Sequence, residues 1–145
     1  MQLNRLPRPN RFFKILPTDW KESLIPIWND VKNEAQVYVL EENKELLAGG
    51  IVFKAMIPEM ETYQTEAMHW FSKNYAYIGY VWVPIEKRHQ QYGTRWLEKL
   101  FSLNPNQHYW LTTEEKQLRQ FYEKSGFRYK KTIKNEYLEE DLFIY

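Results

Sequence analysis

Two stretches of this 145-residue chain have residue types and spacing suited to chemistry. The first is EKRHQQYGTRWL, Glu86 to Leu97, which follows an apolar run and opens an amphipathic helix. A strand entering a helix at Arg88–Thr94 leaves up to four backbone N–H groups without helical partners. Those amides, together with the helix dipole, suit an anion. The stretch holds a single glycine, Gly93, so by pattern alone an ordinary strand-to-helix turn that meets only water is the better reading. The second stretch is QFYEKSGFRY, Gln120 to Tyr129. If both helices flank the same central strand, Tyr122 lies near that strand's C-terminal end, where a phenol can donate a proton to a departing anion. By pattern alone, core aromatics at helical spacing are the better reading of Phe121 and Tyr122.

Other chemistries are excluded or left without support. No cysteine is present, which removes disulfides, thiolate nucleophiles and thiolate-bound metals. The three histidines, His69, His89 and His108, lack metal-ligand spacing, so no metal is expected. No Ser/His/Asp constellation stands out. The formal net charge of +1 provides no field for nucleic acid or an anionic membrane, and neither is expected as a partner. Aromatic residues make up 17% of the chain, enough for a ring-built core and an aromatic-walled cleft. MQLNRLPRPNRFFKIL interrupts with Pro and Arg where a signal peptide needs an apolar core. No apolar run approaches the ~20 residues that span a bilayer. A soluble cytoplasmic protein is therefore the expectation.

The elements that must position these residues follow from periodicity. One domain over residues 1–145 is expected. RFFKIL, Arg11–Leu16, reads as a short strand. Trp20, Leu24, Ile27, Trp28 and Val31 recur at helical spacing, and Pro26 splits that segment. QVYVLEENKELLAGGIVFKAM gives two strands around a turn at Glu42–Lys44. In the insert IPEMETYQTEAMHWFSKN, Tyr63, Ala67, Trp70 and Phe71 share a helix face. YAYIGYVWV, Tyr75–Val83, is apolar throughout, as a central strand covered on both faces requires. Tyr92, Trp96, Leu97, Leu100 and Phe101 mark a core-facing helix that Asn104–Asn106 ends, and HYWLTT is the next strand. TTEEKQLRQFYEKSGF carries Thr112 or Thr113 as N-cap and Gly126 as C-terminal stop. Two closing strands form a hairpin. The order β-αα-ββ-(insert)-β-α-β-α-ββ predicts an α+β, or mixed α/β, layer protein.

Taken together, VWVPIEKRHQQYGTRWL and FYEKSGF resemble the GNAT superfamily of acyl-CoA-dependent acetyltransferases. Val83, Glu86, Arg88 and Gly93 match that family's strand–loop–helix, and Phe121 to Phe127 match its later signature, the more specific of the two. The resemblance implies a twisted, mostly antiparallel sheet of about six or seven strands flanked by helices and splayed between the fourth and fifth strands. It also implies acetyl-CoA as cosubstrate. Arg88, His89, Gln90, Gln91, Tyr92, Gly93 and Thr94 would cradle the CoA pyrophosphate. Trp82 and Val83 would offer backbone hydrogen bonds to pantetheine, and Tyr122 would protonate the leaving thiolate.

Several positions depart from the family pattern. Gln91 stands in the seat of the loop's first glycine, which costs about 1–2 kcal/mol if that backbone needs positive φ. Glu115 stands where an Asn often faces the cofactor; its plain reading is a helix-start acid paired with Thr112 in a capping box. No general base is assigned: the family's strand position falls near Tyr77, and Glu66, His69 or Tyr80 through a water are candidates. Glu59, Glu61 and Glu66 amid Met and aromatics in the insert would suit a cationic amine, but a solvated loop with a few anchoring rings explains the same letters slightly better. The expected function is N-acetyl transfer to a primary amine, small-molecule or peptide, by direct attack in a ternary complex. The alternative is a CoA-binding or regulatory module of the same fold with little chemistry. Single-strand nucleic-acid binding on aromatic rings is a third reading, disfavoured by the charge. Exposed aromatic surface leaves room for a homodimer.

Overall fold

The computed structural model describes residues 1–145. Seven strands form one sheet: β1 (Gln2–Arg5), β2 (Ala35–Glu42), β3 (Glu45–Phe53), β4 (Tyr75–Trp82), β5 (His108–Thr113), β6 (Arg128–Lys134) and β7 (Glu139–Ile144). Their spatial order is β1-β2-β3-β4-β5-β7-β6. Every neighbouring pair is antiparallel except β4 and β5, which run parallel. The helices are α1 (Asn10–Ile15), α2 (Thr18–Leu24), α3 (Trp28–Val31), α4 (Gln64–Ser72), α5 (Tyr92–Leu103) and α6 (Arg119–Lys124). No helix is long and apolar enough to cross a membrane.

Most elements form where periodicity places them. Pro26 sits in a 3-10 turn, Ile25–Ile27, between α2 and α3, where its missing N–H breaks no helical bond. Asn43 and Lys44 both have positive φ and make the two-residue turn from β2 to β3, the geometry that matches strand twist. Arg11–Leu16 differs: these residues form helix α1, not a strand, and the first strand is Gln2–Arg5. Phe12, Phe13 and Leu16 all bury on one helical face, and the Pro9 carbonyl accepts from the Phe12 and Phe13 amides. A six-residue apolar run carries too little periodicity to separate the two states.

The sheet is covered on both sides. At the middle of β3, Gly49 faces Phe12 of α1 and Gly50 faces Trp96 of α5; a Cβ on Gly50 would lie 2.6 Å from the Trp96 ring. Consecutive residues point to opposite faces, so α1 and α5 lie on opposite sides. On the α1 side, Trp20 of α2 packs on Trp82 at 5.3 Å, and Phe71 of α4 packs on Trp110 of β5 at 5.4 Å. On the α5 side, Phe101 packs on Tyr109 of β5 and Tyr122 of α6 packs on Phe143 of β7. Trp96 is fully buried and its indole N–H donates to the Tyr38 carbonyl at 3.0 Å, fixing α5 to β2.

Candidate functional site

The parallel pair β4–β5 is short. It runs only from Tyr75–His108 to Tyr77–Trp110, while β4 continues beside β3 to Trp82 and β5 continues beside β7 to Thr113. Beyond Tyr77 the two strands part and leave an open seam. In the same stretch β4 carries a bulge: Gly79 pairs with Ile51 and Trp82 with Gly49, so Tyr80 and Val81 together oppose Gly50. Tyr80 takes φ +57 there. The bulge brings its ring to the α2 side, 5.7 Å from Trp20, with its hydroxyl 3.2 Å from Ser23 Oγ. Extra residues of this kind re-aim a side chain.

The loop leaving β4 runs Pro84, then a 3-10 turn over Ile85–Lys87, then Arg88 to Gln91 before α5 begins. Lys87 is held by an ion pair with Glu45. Arg88 folds back: its guanidinium lies 4.5 Å over the Trp82 ring, and Nε donates to the Val83 carbonyl at 3.0 Å. His89 and Gln91 both adopt left-handed backbone, at φ +64 and +65. From His89 to Thr94, six consecutive backbone N–H groups find no backbone carbonyl, and the N–H of Val83 finds none either. Tyr92 donates its hydroxyl proton to Gln90. A row of free amides at the start of a twelve-residue helix is a ready anion cradle.

The expected cost at Gln91 is therefore real, and His89 is a second left-handed position that the letters did not single out. Both side chains are exposed and nothing packs the backbone out of αL. Gln91→Gly should stabilise the fold by about 1 kcal/mol, since the strain of the αL Gln exceeds the unfolded-state entropy that glycine adds. A higher urea midpoint with an unchanged m-value checks this.

Gly93 has another task. It is buried, and a Cβ there would lie 3.1 Å from Phe121 Cζ and 3.6 Å from Val83 Cγ2. The end of β4, the first turn of α5 and α6 thus meet at this residue, which brings the two sequence stretches into contact. α6 then stops at Gly126, φ +102. The Phe127 N–H donates to the Tyr122 carbonyl and the Gly126 N–H to Glu123, both at 3.1 Å, while the Phe127 and Tyr122 rings pack at 5.7 Å. This is a Schellman stop complete with its apolar contact. Much of FYEKSGF is accordingly a device for ending a helix with Tyr122 in a fixed place.

The start of α6 differs from expectation. Thr112 and Thr113 stay in β5, paired with Leu142 and Asp141, and the chain passes through a 3-10 turn, Lys116–Leu118, before α6. Neither threonine caps α6 and the Thr112–Glu115 box does not form; the Thr113 hydroxyl instead accepts from the Glu115 N–H. Sheet pairing holds the threonines where a cap would need them free. Asp141, 4% exposed, accepts from Lys116 and from Thr132 and so ties this connector to β7. Tyr122 is 7% exposed. Burial first, then the Glu115 charge, pushes its phenol well above its ordinary pKa, so it carries its proton at neutral pH.

On the α2/α4 side of the seam lies a group that sequence reasoning did not assemble. Tyr77 donates to or accepts from Thr112 at 3.3 Å across the parting strands. Tyr63, 7% exposed, packs edge-on to Trp110, which packs on Tyr77 at 4.7 Å. Glu59 lies on the 3-10 turn Pro58–Tyr63, and its carboxyl is raised by desolvation and then by Glu140. Glu140 is raised mainly by burial. Of the earlier base candidates, Tyr80 adjoins this ring group, packing on Phe53, which packs on Tyr77; burial and then the Glu59 charge raise its phenol. Glu66 is engaged by Trp70 Nε1 and by an ion pair with Lys131 of β6, and His69 packs on Trp70. His69, His89 and His108 are exposed and scattered, and no three His, Asp or Glu side chains converge as a metal site would require.

Comparison with known proteins bears on this arrangement. The model of the acetyltransferase (GNAT) family matches residues 3–127. The chain is similar to a solved aminoglycoside 6'-N-acetyltransferase complexed with coenzyme A, at 13% identity and TM-score 0.72, over 100% of this chain and 96% of that one. It is also similar to an N-acetyltransferase from Staphylococcus aureus Mu50, at 13% identity, TM-score 0.70 and full coverage of both chains. A GNAT family acetyltransferase from Elizabethkingia anophelis with acetyl-CoA bound aligns at 11% identity and TM-score 0.64, over 99% and 95% of the two chains. A comparison with curated protein sequences found no match. These neighbours share the fold, while the family model spans the loop of free amides, the seam and the helix that ends at Gly126. The chain belongs to the acetyltransferase (GNAT) family.

Proposed function

We propose that this protein transfers an acetyl group from acetyl-CoA to a primary amine, by direct attack in a ternary complex. The observation that carries the reading is the row of six unpartnered amides from His89 to Thr94 at the head of α5, beside the open seam of β4. The cosubstrate supplies an activated acyl thioester. In this chain the amides of 89–94 hold the pyrophosphate, and the Val83 N–H, free while its carbonyl is taken by Arg88, is left to pair with pantetheine. Trp82 extends the same edge. Tyr122, protonated at neutral pH by virtue of its burial, gives its proton to the departing thiolate. No enzyme nucleophile is required once amine and thioester are held together.

The acceptor is a small molecule or peptide bearing the amine, and two copies of the chain associating as a homodimer would leave this chemistry within each. A CoA-binding module with little chemistry is the second reading. Its support is the pair of side chains at left-handed seats, His89 and Gln91, which crowd the cradle relative to glycine.

CoA added at a hundredfold excess over its Kd should stabilise the fold by about 2.7 kcal/mol, seen as a rise in Tm of several degrees. Acetyl-CoA with a panel of primary amines (polyamines, aminoglycosides, lysine-bearing peptides) should release free CoA thiol. A Tm rise without thiol release selects the second reading. No rise at millimolar CoA overturns both.

A further inference from the structure

Acetyl transfer, as read above, uses the N-terminal end of α5 and the seam. A second concave site lies at the other end of that helix. Gly50 faces Trp96, and alternation along β3 carries Val52 and Lys54 onto the same α5 face. Tyr38 pairs with Gly50 and Gln36 with Val52, so both β2 side chains share that face. From β5, Tyr109 joins them, packed on Phe101 of α5. Trp96 ties the helix to the Tyr38 carbonyl and Leu100 is wholly buried, but in the last turn Leu103 is 54% exposed. A cleft of about 310 Å³ opens at this turn. Leu100, Leu103 and Val52 supply apolar lining, and polar groups from β2, β3 and β5 complete it.

Those polar groups are set to donate. Tyr109 is 1% exposed. Burial, and then the neighbouring Tyr38 phenol, push its pKa up to about 12, while Asn104 opposes them as a donor to its oxygen. The Tyr109 phenol therefore keeps its proton at neutral pH, and no protein acceptor takes it. Its oxygen is not sealed in, since the Trp110 indole is the one enclosed side-chain atom without a partner; it opens on the cleft. Tyr38 donates to Gln36 Oε1 at 2.7 Å, which leaves the Gln36 amide hydrogens to give. Lys54 makes no ion pair, and no aspartate or glutamate lines the cleft. Gln107 at the rim is fixed by donating to the carbonyls of Asn74 and His108, both at 2.8 Å.

We infer that this cleft binds a small organic monocarboxylate with an apolar body. Lys54 supplies the opposite charge, the Gln36 amide and the Tyr109 hydroxyl supply further donors, and Leu100, Leu103 and Val52 cover the body. Hydrogen bonds to an ionised acceptor are the stronger kind, which suits a site of three donors and no acid. One lysine balances a single charge, and the apolar lining would be wasted on inorganic phosphate. The inference stands apart from the transferase reading. A helix of twelve residues sets about 18 Å between this cleft and the amide row at its head, so the carboxylate and CoA do not compete.

Phenylacetate, isovalerate and benzoate are the probes, with phenylacetamide as the uncharged match of the first. Each is titrated into the isotope-labelled full chain, to millimolar concentration, while backbone amide shifts are followed. At least one acid should give saturable shifts at residues 36–38, 52–54 and 100–109 and none at 89–94. Phenylacetamide should bind about tenfold more weakly than phenylacetate. Lys54→Met keeps the stem of an exposed side chain, so it should melt as wild type does and yet bind the acid about tenfold more weakly. Tyr109→Phe should weaken it several-fold. Failure of all three acids to saturate overturns the site, and so do saturable shifts confined to 89–94. Equal binding of acid and amide, or unchanged affinity in Lys54→Met, overturns the carboxylate assignment. None of these outcomes bears on acetyl transfer, which the thiol-release assay tests by itself.

Discussion

Tyr122→Phe should reduce the rate of acetyl transfer about 100-fold, the lower end of what a positioned general acid contributes, while the rise in Tm produced by CoA stays as in wild type. The ring does the packing: it meets Phe121, Phe127 and Phe143 at 5.0, 5.7 and 5.6 Å, and phenylalanine keeps all three contacts. The Schellman stop after it uses only backbone atoms and the ring, so the helix end is preserved. Only the hydroxyl is lost. With the phenol held protonated by burial, the defect should be constant across the neutral range. Steady-state kinetics from pH 6 to 9 with a parallel melting series checks both halves. A variant that also loses the CoA-induced shift would mean that Tyr122 binds the cosubstrate and does not act as its acid.

Trp96→Ala should have the largest effect on stability, a loss of about 3–5 kcal/mol. Trp96 is wholly buried, fills the space left open by Gly50, and satisfies the Tyr38 carbonyl. Truncation removes the ring, leaves a cavity against the middle of β3 and loses the indole hydrogen bond to the Tyr38 carbonyl, which adds to the cost. Trp96→Phe keeps part of the packing and should lose less. Since α5 carries the amide row at its N-terminus, loosening its anchor should also weaken CoA binding in molecules that remain folded. Urea denaturation of the two variants, followed by CoA titration below the transition, separates the two effects.

Much of the positioning scaffold is legible in the letters. β4 shows itself as an unbroken apolar run, α5 through the spacing of Trp96, Leu97, Leu100 and Phe101, and the end of α6 through Gly126. These features are local, and periodicity or a single backbone requirement is enough to read them. Arg11–Leu16 is misread because six residues fit either period and Pro9 decides the matter. Thr112 and Thr113 look like caps because sequence cannot show that β7 claims them. His89 escapes notice because nothing about a histidine announces φ +64. The 58–63 turn and the β6–β7 hairpin are far apart in sequence, and only the Asn135 hydrogen bond to the Thr62 carbonyl shows one seated on the other. Contacts made by tertiary packing leave no periodic trace.

The three-rung parallel pairing of β4 with β5 has a mechanical consequence. The sheet consists of two leaves, β1 to β4 and β5 to β7, stitched at one end and unsewn from Tyr77 onward. Helices on both sides bridge the leaves, but along the open length no backbone bond does. A molecule that lies in the gap and pairs with the free edge of β4 acts as the missing thread. Its binding energy at that edge is then also cohesion between the leaves. Occupancy would make the sheet continuous across the gap, and release would return the protein to the divided form that admits the next molecule.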